Sequence, residues 1–134
     1  MGGLLEGRGK AVKQIRIILG DLVLDAHLKD SPTAQKVWEA LPIETSFSTW
    51  GDEIYFSIPV AMELESDARE LVQSGDLGYW PSGNAFCIFF GPTPISNEGE
   101  IRPGSAVNMI GRVTGDAARL KERLSENLIS LERG

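Results

Sequence analysis

The stretch AFCIFF, residues 85–90, is apolar at every position and is followed directly by Gly91 and Pro92, which favour a turn. A strand with one face in water alternates apolar and polar residues, so an unbroken apolar run of this length is typical of a strand covered on both faces. We therefore predict that residues 85–90 form the central strand of a β-rich core.

Short strands joined by tight turns are predicted on the N-terminal side of this stretch. Residues 13–19 and 22–28 carry apolar side chains at alternate positions, and the pair Gly20 and Asp21 between them is typical of a hairpin turn. A second hairpin is predicted around residues 50–53 by the same pattern. Both hairpins would bury one face and leave the other in water.

Two further regions differ in how clearly they predict structure. Residues 107–113 have the composition of another strand. Residues 61–72 are acidic, and their apolar positions fit either a helix or a short strand at 69–72. That region stays ambiguous from sequence.

Two amphipathic helices are predicted, one at residues 31–41 and one at 116–131. The first has Ser31 as a plausible N-cap and Pro32 at the first helical position. The second rests on a stripe of leucines at helical spacing. That stripe consists of Leu120, Leu124, Leu128 and Leu131.

Six or seven short strands and two helices, with the strands mostly following one another through turns, favour a mostly-β protein. We expect a closed antiparallel barrel with the helices packed against its ends. Residues 1–12 are glycine-rich and are predicted to be a flexible segment, and residues 13–134 a single domain.

Composition and charge exclude several classes of function. The chain of 134 residues has a net charge of −6, and residues 17–100 hold three basic against fourteen acidic side chains, which argues against nucleic-acid binding. No apolar run approaches the ~20 residues that span a bilayer, and the N-terminus does not resemble a signal peptide. One cysteine fits a reducing compartment, so we expect a cytoplasmic protein.

Few side chains are suited to metal binding or nucleophilic catalysis. One histidine and one cysteine cannot form a zinc site, and the acidic residues 63–67 lack a calcium-loop spacing. His27 falls on the wet face of its strand, whereas Cys87 falls within an apolar strand. We therefore predict no catalytic residue, no metal and no cofactor.

Aromatic and polar residues are concentrated at strand ends and turns, where they could border a recognition cleft. Trp50 and Trp80 each precede a turn, and Glu53 shares its strand phase with Tyr55. The alternative is that these side chains close the ends of the barrel. The predicted cleft residues are Trp50, Glu53, Tyr55, Trp80, Cys87 and Phe89.

Three segments resemble a family of uncharacterised archaeal and bacterial cyclophilin-like proteins. They are WGDEIYF at 50–56, GDLGYWP at 75–81 and GNAFCIFFGPTP at 83–94, within a resemblance that runs from about Lys13 to about Leu124. The resemblance implies a compact cyclophilin-type barrel and no established activity.

The chain departs from prolyl-isomerising cyclophilins at the positions that would carry catalysis. Residues 46–56 contain no arginine to donate to the substrate amide, and Ala85 and Cys87 stand where cyclophilins have glutamine and phenylalanine. Only Arg69 or Arg102 could supply the donor from nearby segments.

The hypothesis that follows is a binding module that holds a small molecule or a peptide in a cleft on the barrel. One alternative is a divergent prolyl isomerase, and another is an enzyme of unrelated chemistry with Glu53 as general base. A third is a structural protein in which the aromatic residues lie between the subunits of a homo-oligomer.

Overall fold

The computed structural model describes residues 12–134, so the predicted flexible segment 1–12 lies, apart from Val12, outside the described residues. The described chain has nine β-strands, one α-helix (α1, Pro32–Ala40) and two short 3-10 helices (Pro81–Gly83 and Ala117–Arg123). The strands are β1 Lys13–Leu19, β2 Leu22–Leu28, β3 Ile43–Thr45, β4 Ser48–Thr49, β5 Glu53–Ser57, β6 Asp76–Trp80, β7 Ala85–Phe89, β8 Asn108–Val113 and β9 Ile129–Arg133.

All nine strands belong to one antiparallel sheet with the order β3-β9-β1-β2-β8-β6-β7-β5-β4. The protein is mostly β, as predicted, but the prediction of a closed barrel was wrong, because the sheet is an open half-barrel. Its two edge strands, β3 and β4, are consecutive in the chain. β3 pairs with β9 and β4 pairs with β5, so residues 46–47 cross between the edges without joining either ladder.

The first predicted hairpin is confirmed as β1 and β2, which pair along their full length. Gly20 has a φ of 63° in the turn, a conformation that glycine adopts without steric cost. Leu22, Leu24 and Ala26 point into the core, and the residues between them do not. The second predicted hairpin is confirmed as β4 and β5.

The predicted helix at residues 31–41 is also confirmed. The Ser31 hydroxyl accepts from the backbone N–H of Ala34 at 3.2 Å, which satisfies one free donor of the first turn. Val37 is fully buried against the sheet, and Trp38 packs beside it at the edge of the core.

The predicted second α-helix at 116–131 was wrong. Residues 117–123 form a 3-10 helix, capped by the Asp116 carboxylate, and the chain then extends into β9. Leu131 pairs with both Ile17 and Ile43, whereas Leu128 is 50% exposed. Pairing with β1 and β3 therefore outweighs the helical spacing of the leucines.

Strand β7 is buried on both faces, as its apolar run predicted. The prediction that it is the central strand was wrong, because β7 lies third from the β4 edge of the sheet and β8 occupies the middle. Phe86 and Ile88 point into the main core of the half-barrel. Cys87 and Phe89 point the other way, into a second and smaller apolar cluster. The second cluster includes Val72, Ala85, Cys87, Phe89 and Val107, with Tyr55, Trp80, Ile101 and Met109 packed against it.

The ambiguous region 61–72 forms neither a helix nor a regular strand: it turns at residues 66–67 and then lies against the segment 101–107. Arg69 pairs with Val107, and Val72 with Ile101, each as an isolated antiparallel bridge. These bridges bring residues 101–107 over the face of the sheet that carries the second cluster.

The buried side chain of Asn108 fixes the start of this region. Its amide nitrogen donates to the Glu63 carbonyl at 2.9 Å and to the Thr33 hydroxyl at 3.0 Å, and its oxygen accepts from the Glu65 N–H at 2.7 Å. A buried amide that is fully bonded in this way holds its neighbours in one arrangement.

No helix within residues 12–134 is long and apolar enough to cross a membrane.

Candidate functional site

A cavity of about 240 Å³ lies between the second-cluster face of the sheet and the segment 103–107. We call it the indole cavity, because two tryptophan side chains form part of its wall. Its lining is mainly apolar, with one carboxyl group. The residues that line the indole cavity are Trp50, Glu53, Tyr55, Trp80, Cys87, Pro103, Gly104, Ser105 and Val107.

The structure places five of the six residues predicted for a cleft around the indole cavity. They are Trp50, Glu53, Tyr55, Trp80 and Cys87. The sixth, Phe89, does not line it and is fully buried in the second cluster. That these residues bind a ligand stays a prediction.

Strand pairing explains why the carboxyl group and the thiol meet in the cavity. Tyr55 of β5 pairs directly with Cys87 of β7, and Glu53 lies two residues along β5 on the same face. The side chains of Glu53 and Cys87 are therefore diagonal neighbours across the two strands. Glu53 is only 6% exposed and Cys87 1%.

Burial changes the titration of both groups. Removal from water raises the pKa of Glu53 to about 7, and the polar thiol of the neighbouring Cys87 offsets part of that rise. Burial also raises the pKa of Cys87 well above its ordinary value, and the neighbouring Glu53 carboxylate adds to the effect. The thiol therefore stays protonated at neutral pH and is not an activated nucleophile.

The Trp80 indole is fixed at both of its ends. Its Nε1–H donates to the Ser105 hydroxyl at 2.7 Å, across the cavity wall. Its six-membered ring lies against Gly83, where an added Cβ would be 2.9 Å from ring carbons. A larger residue at position 83 would therefore push the ring aside.

The Trp50 indole is placed by the turn that opens β5. The backbone N–H of Trp50 donates to the carbonyl of Glu53 at 2.9 Å, and Gly51 takes a φ of 60° within this turn. The ring reaches across to Gly104, where an added Cβ would lie 3.7 Å from it. The two indoles thus approach the segment 103–107 from different elements, Trp50 from the turn between β4 and β5 and Trp80 from the end of β6.

The segment 103–107 is held in place by a polar network in the preceding loop. The Ser96 hydroxyl accepts from the backbone N–H groups of Thr93 and Arg102, both at 2.9 Å. The Thr93 hydroxyl in turn donates to the Arg102 carbonyl. Sequence analysis missed Pro103, Gly104 and the rest of this wall, because a loop carries no periodic pattern.

Within the described residues, no basic side chain lines the indole cavity. Arg102 lies near the wall but forms an ion pair with Glu100, 3.0 Å from Nε to the carboxylate. Arg69 belongs to a different cavity. Neither arginine that could replace the missing isomerase donor is part of the lining.

That different cavity, of about 450 Å³, is lined mainly by polar and charged groups of β2, β6, β8 and residues 67–73. Lys29 pairs with Asp67 at 3.3 Å, and Arg112 pairs with Asp76. Most of its charge is therefore neutralised internally. Residues 12–134 contain no group of three or more histidine, cysteine or acidic side chains placed to hold a metal ion.

Comparison with known proteins identifies the family. A family model described as cyclophilin-like matches residues 13–132. The solution structure of a hypothetical protein from Archaeoglobus fulgidus superposes with a TM-score of 0.78 at 36% sequence identity, over 100% of both chains. No curated protein matches the chain. The chain belongs to the cyclophilin-like family.

Proposed function

We propose that this member of the cyclophilin-like family is a binding module whose indole cavity takes a small molecule or one side chain of a peptide. The observation that carries the proposal is the buried Glu53 carboxyl, which faces an apolar cavity without a basic partner in the lining. Burying such a group without compensation costs free energy, so its retention favours a role in contact with a ligand.

The size and rigidity of the cavity support a small ligand group. Ligand pockets for drug-sized molecules occupy roughly 300–1,000 Å³, and the indole cavity, at about 240 Å³, is smaller. Its walls are fixed by the Trp80–Ser105 hydrogen bond and by the network around Ser96. Binding to a preformed cavity costs less free energy, because fewer side chains and loops have to be ordered when the ligand enters.

Prolyl isomerisation is less well supported than binding. Rotation about a peptide bond faces a barrier of ~18–20 kcal/mol, and cyclophilins lower it with an arginine that donates to the amide. The indole cavity has no guanidinium in its lining. A buried carboxylate would repel, rather than stabilise, electron density on the substrate carbonyl.

A role between subunits is the structural alternative. Trp50 and Trp80 are both partly exposed in the single chain, so a second copy could cover them.

A cytoplasmic location is also part of the proposal. The lone cysteine, Cys87, is a buried free thiol, and a free thiol fits a reducing compartment.

A ligand-observed NMR screen of small organic fragments and short peptides tests the proposal. We expect some compounds to bind, so that their signals show magnetisation transferred from the protein. We expect Trp50→Ala to abolish that transfer. Val23→Ala is the control, because Val23 is an exposed apolar residue outside the cavity. A screen without hits, together with a dimer in which Trp50 is protected from solvent, would overturn binding in favour of the structural alternative.

A further inference from the structure

The lining of the indole cavity combines three aromatic side chains with one carboxylate. Trp50, Tyr55 and Trp80 supply the rings, and Glu53 supplies the charge. We propose that the group bound there is an alkylated ammonium, an inference that rests on the proposed binding function and names its ligand class.

Aromatic rings attract cations because the π-face carries partial negative charge. The attraction is worth about 0.5–1 kcal/mol at exposed sites and about 2 kcal/mol or more where the cation loses its water. Alkylated ammonium groups suit such sites especially, since their charge is spread over methyl groups that also favour apolar contact. Both indoles and the Tyr55 ring face the same cavity.

The Glu53 carboxylate supplies the countercharge that an organic cation needs. No lysine, arginine or histidine of residues 12–134 lines the cavity, so the described lining offers no cation to neutralise it. The other titratable groups that face it are the Tyr55 phenol on its own strand and the Cys87 thiol on β7. Neither a phenol nor a thiol can carry a positive charge, which leaves the ligand to provide it.

Other cations fit the lining less well. Mg²⁺ and Ca²⁺ take six or more oxygen ligands, and the cavity offers one carboxylate. A primary ammonium brings three N–H donors that all need acceptors when buried. The Ser105 hydroxyl already accepts from Trp80, so few acceptors remain. Alkylation removes N–H donors and thus removes that requirement.

The cation could belong to a small quaternary amine or to a methylated lysine side chain of a peptide, and both present the same chemistry. Two pairs of probes separate these sources. The first pair is choline and its neutral tert-butyl analogue, in which carbon replaces the ammonium nitrogen. The second is a short peptide with trimethyl-lysine and the same peptide with unmodified lysine.

The test is an NMR titration of the full chain at pH 8 with each probe. We expect choline, the methylated peptide or both to bind at least about tenfold more tightly than the matched control compound, as cation–π attraction in a desolvated site requires. We expect Glu53→Gln, which keeps the shape of the side chain, to remove most of that preference. Thermal unfolding of the variant shows that it is folded.

The outcomes separate this inference from the proposed function. Equal binding of the two members in both pairs of probes, or undiminished preference in Glu53→Gln, would overturn the alkylammonium assignment while leaving a general apolar cleft. If neither choline nor the methylated peptide binds, the alkylammonium assignment is also overturned. The proposed function would fall only if the wider fragment screen failed as well.

Discussion

The indole N–H of Trp80 donates to the hydroxyl of Ser105 at 2.7 Å, and this hydrogen bond joins the two walls of the indole cavity. Trp80 ends strand β6, whereas Ser105 belongs to the loop that covers the second-cluster face. The bond links residues 25 positions apart in sequence. The shape of the cavity therefore depends on a contact that no local pattern in the sequence reveals.

Removing the Ser105 hydroxyl should loosen the cavity more than it weakens the fold. Ser105→Ala leaves the indole N–H open to water, so we expect a loss of at most about 1 kcal/mol in the free energy of unfolding. We expect a several-fold loss of ligand affinity, because the Trp80 ring is no longer held. Urea denaturation and a binding titration measure the two effects.

Ser105→Thr is the matched control, since it keeps a hydroxyl at this position. We expect the ligand affinity of Ser105→Thr to be closer to that of the parent than the affinity of Ser105→Ala is. Equal affinity in Ser105→Ala and the parent would show that the hydrogen bond does not shape the site.

The stability of the protein should depend on pH through Glu53. Its pKa is about 7 in the folded chain against an ordinary value of 4.5, so between these values the unfolded chain releases a proton that the folded chain retains. Stability is therefore highest below pH 4.5 with respect to this group and falls as pH rises to 7. At about 1.36 kcal/mol for each pH unit, the loss is up to about 3 kcal/mol and is constant at higher pH.

Glu53→Gln isolates this effect, because glutamine does not titrate. We expect the variant to gain stability relative to the parent between pH 4.5 and 7, measured by urea denaturation at several pH values. A stability difference that is flat over this range would mean that Glu53 has an ordinary pKa in the folded chain.

A charge placed in strand β7 should disrupt the fold. Ile88 is fully buried, so Ile88→Asp puts a carboxylate in an apolar site without a partner. We expect a loss of at least about 3 kcal/mol in the free energy of unfolding, or a failure to fold. Leu128→Asp is the control, because Leu128 is 50% exposed and should tolerate the charge. A soluble Ile88→Asp variant with the parent's melting curve would contradict the placement of β7.

The parent protein should not accelerate proline isomerisation in a standard peptide assay. The reason is the absence of a guanidinium from the cavity lining. Any activity above background would be traced with Arg69→Ala and Arg102→Ala. Loss of that activity in either variant would reveal a relocated donor and would reverse the preference for binding over catalysis.

Sequence alone predicted the elements that depend on local signals. A few neighbouring residues were enough to predict the Gly20 turn, the Ser31 cap and the strand β7. It also predicted that Trp50, Glu53 and Tyr55 would border one cavity, Trp50 from its position at a turn and Glu53 from the strand phase that it shares with Tyr55.

Features that depend on distant contacts were not predictable in the same way. Residues 129–133 form β9 because β1 and β3 offer partners on both sides, although the alternation of Ile129 and Leu131 was a weak signal for a strand. The sheet stays open because its two edge strands, β3 and β4, do not pair with each other, and this depends on the register of the whole sheet. The position of the wall at Pro103 depends on the Ser96 hydroxyl, which accepts hydrogen bonds from the backbone of Thr93, before it in the sequence, and of Arg102, after it.

The three tryptophans of the chain permit the most direct test of ligand binding in the indole cavity. Trp50 and Trp80 line the cavity, whereas Trp38 lies on α1, with the Arg133 guanidinium 4.6 Å from its ring centroid. The measurement is the NMR shift of the three indole N–H signals during separate titrations with choline and with its neutral tert-butyl analogue. We expect the Trp50 and Trp80 signals to move together and saturate with at least one compound, while the Trp38 signal stays in place. If all three signals move alike, or if neither these compounds nor any compound of the wider fragment and peptide screen moves the Trp50 and Trp80 signals, binding in the indole cavity is contradicted.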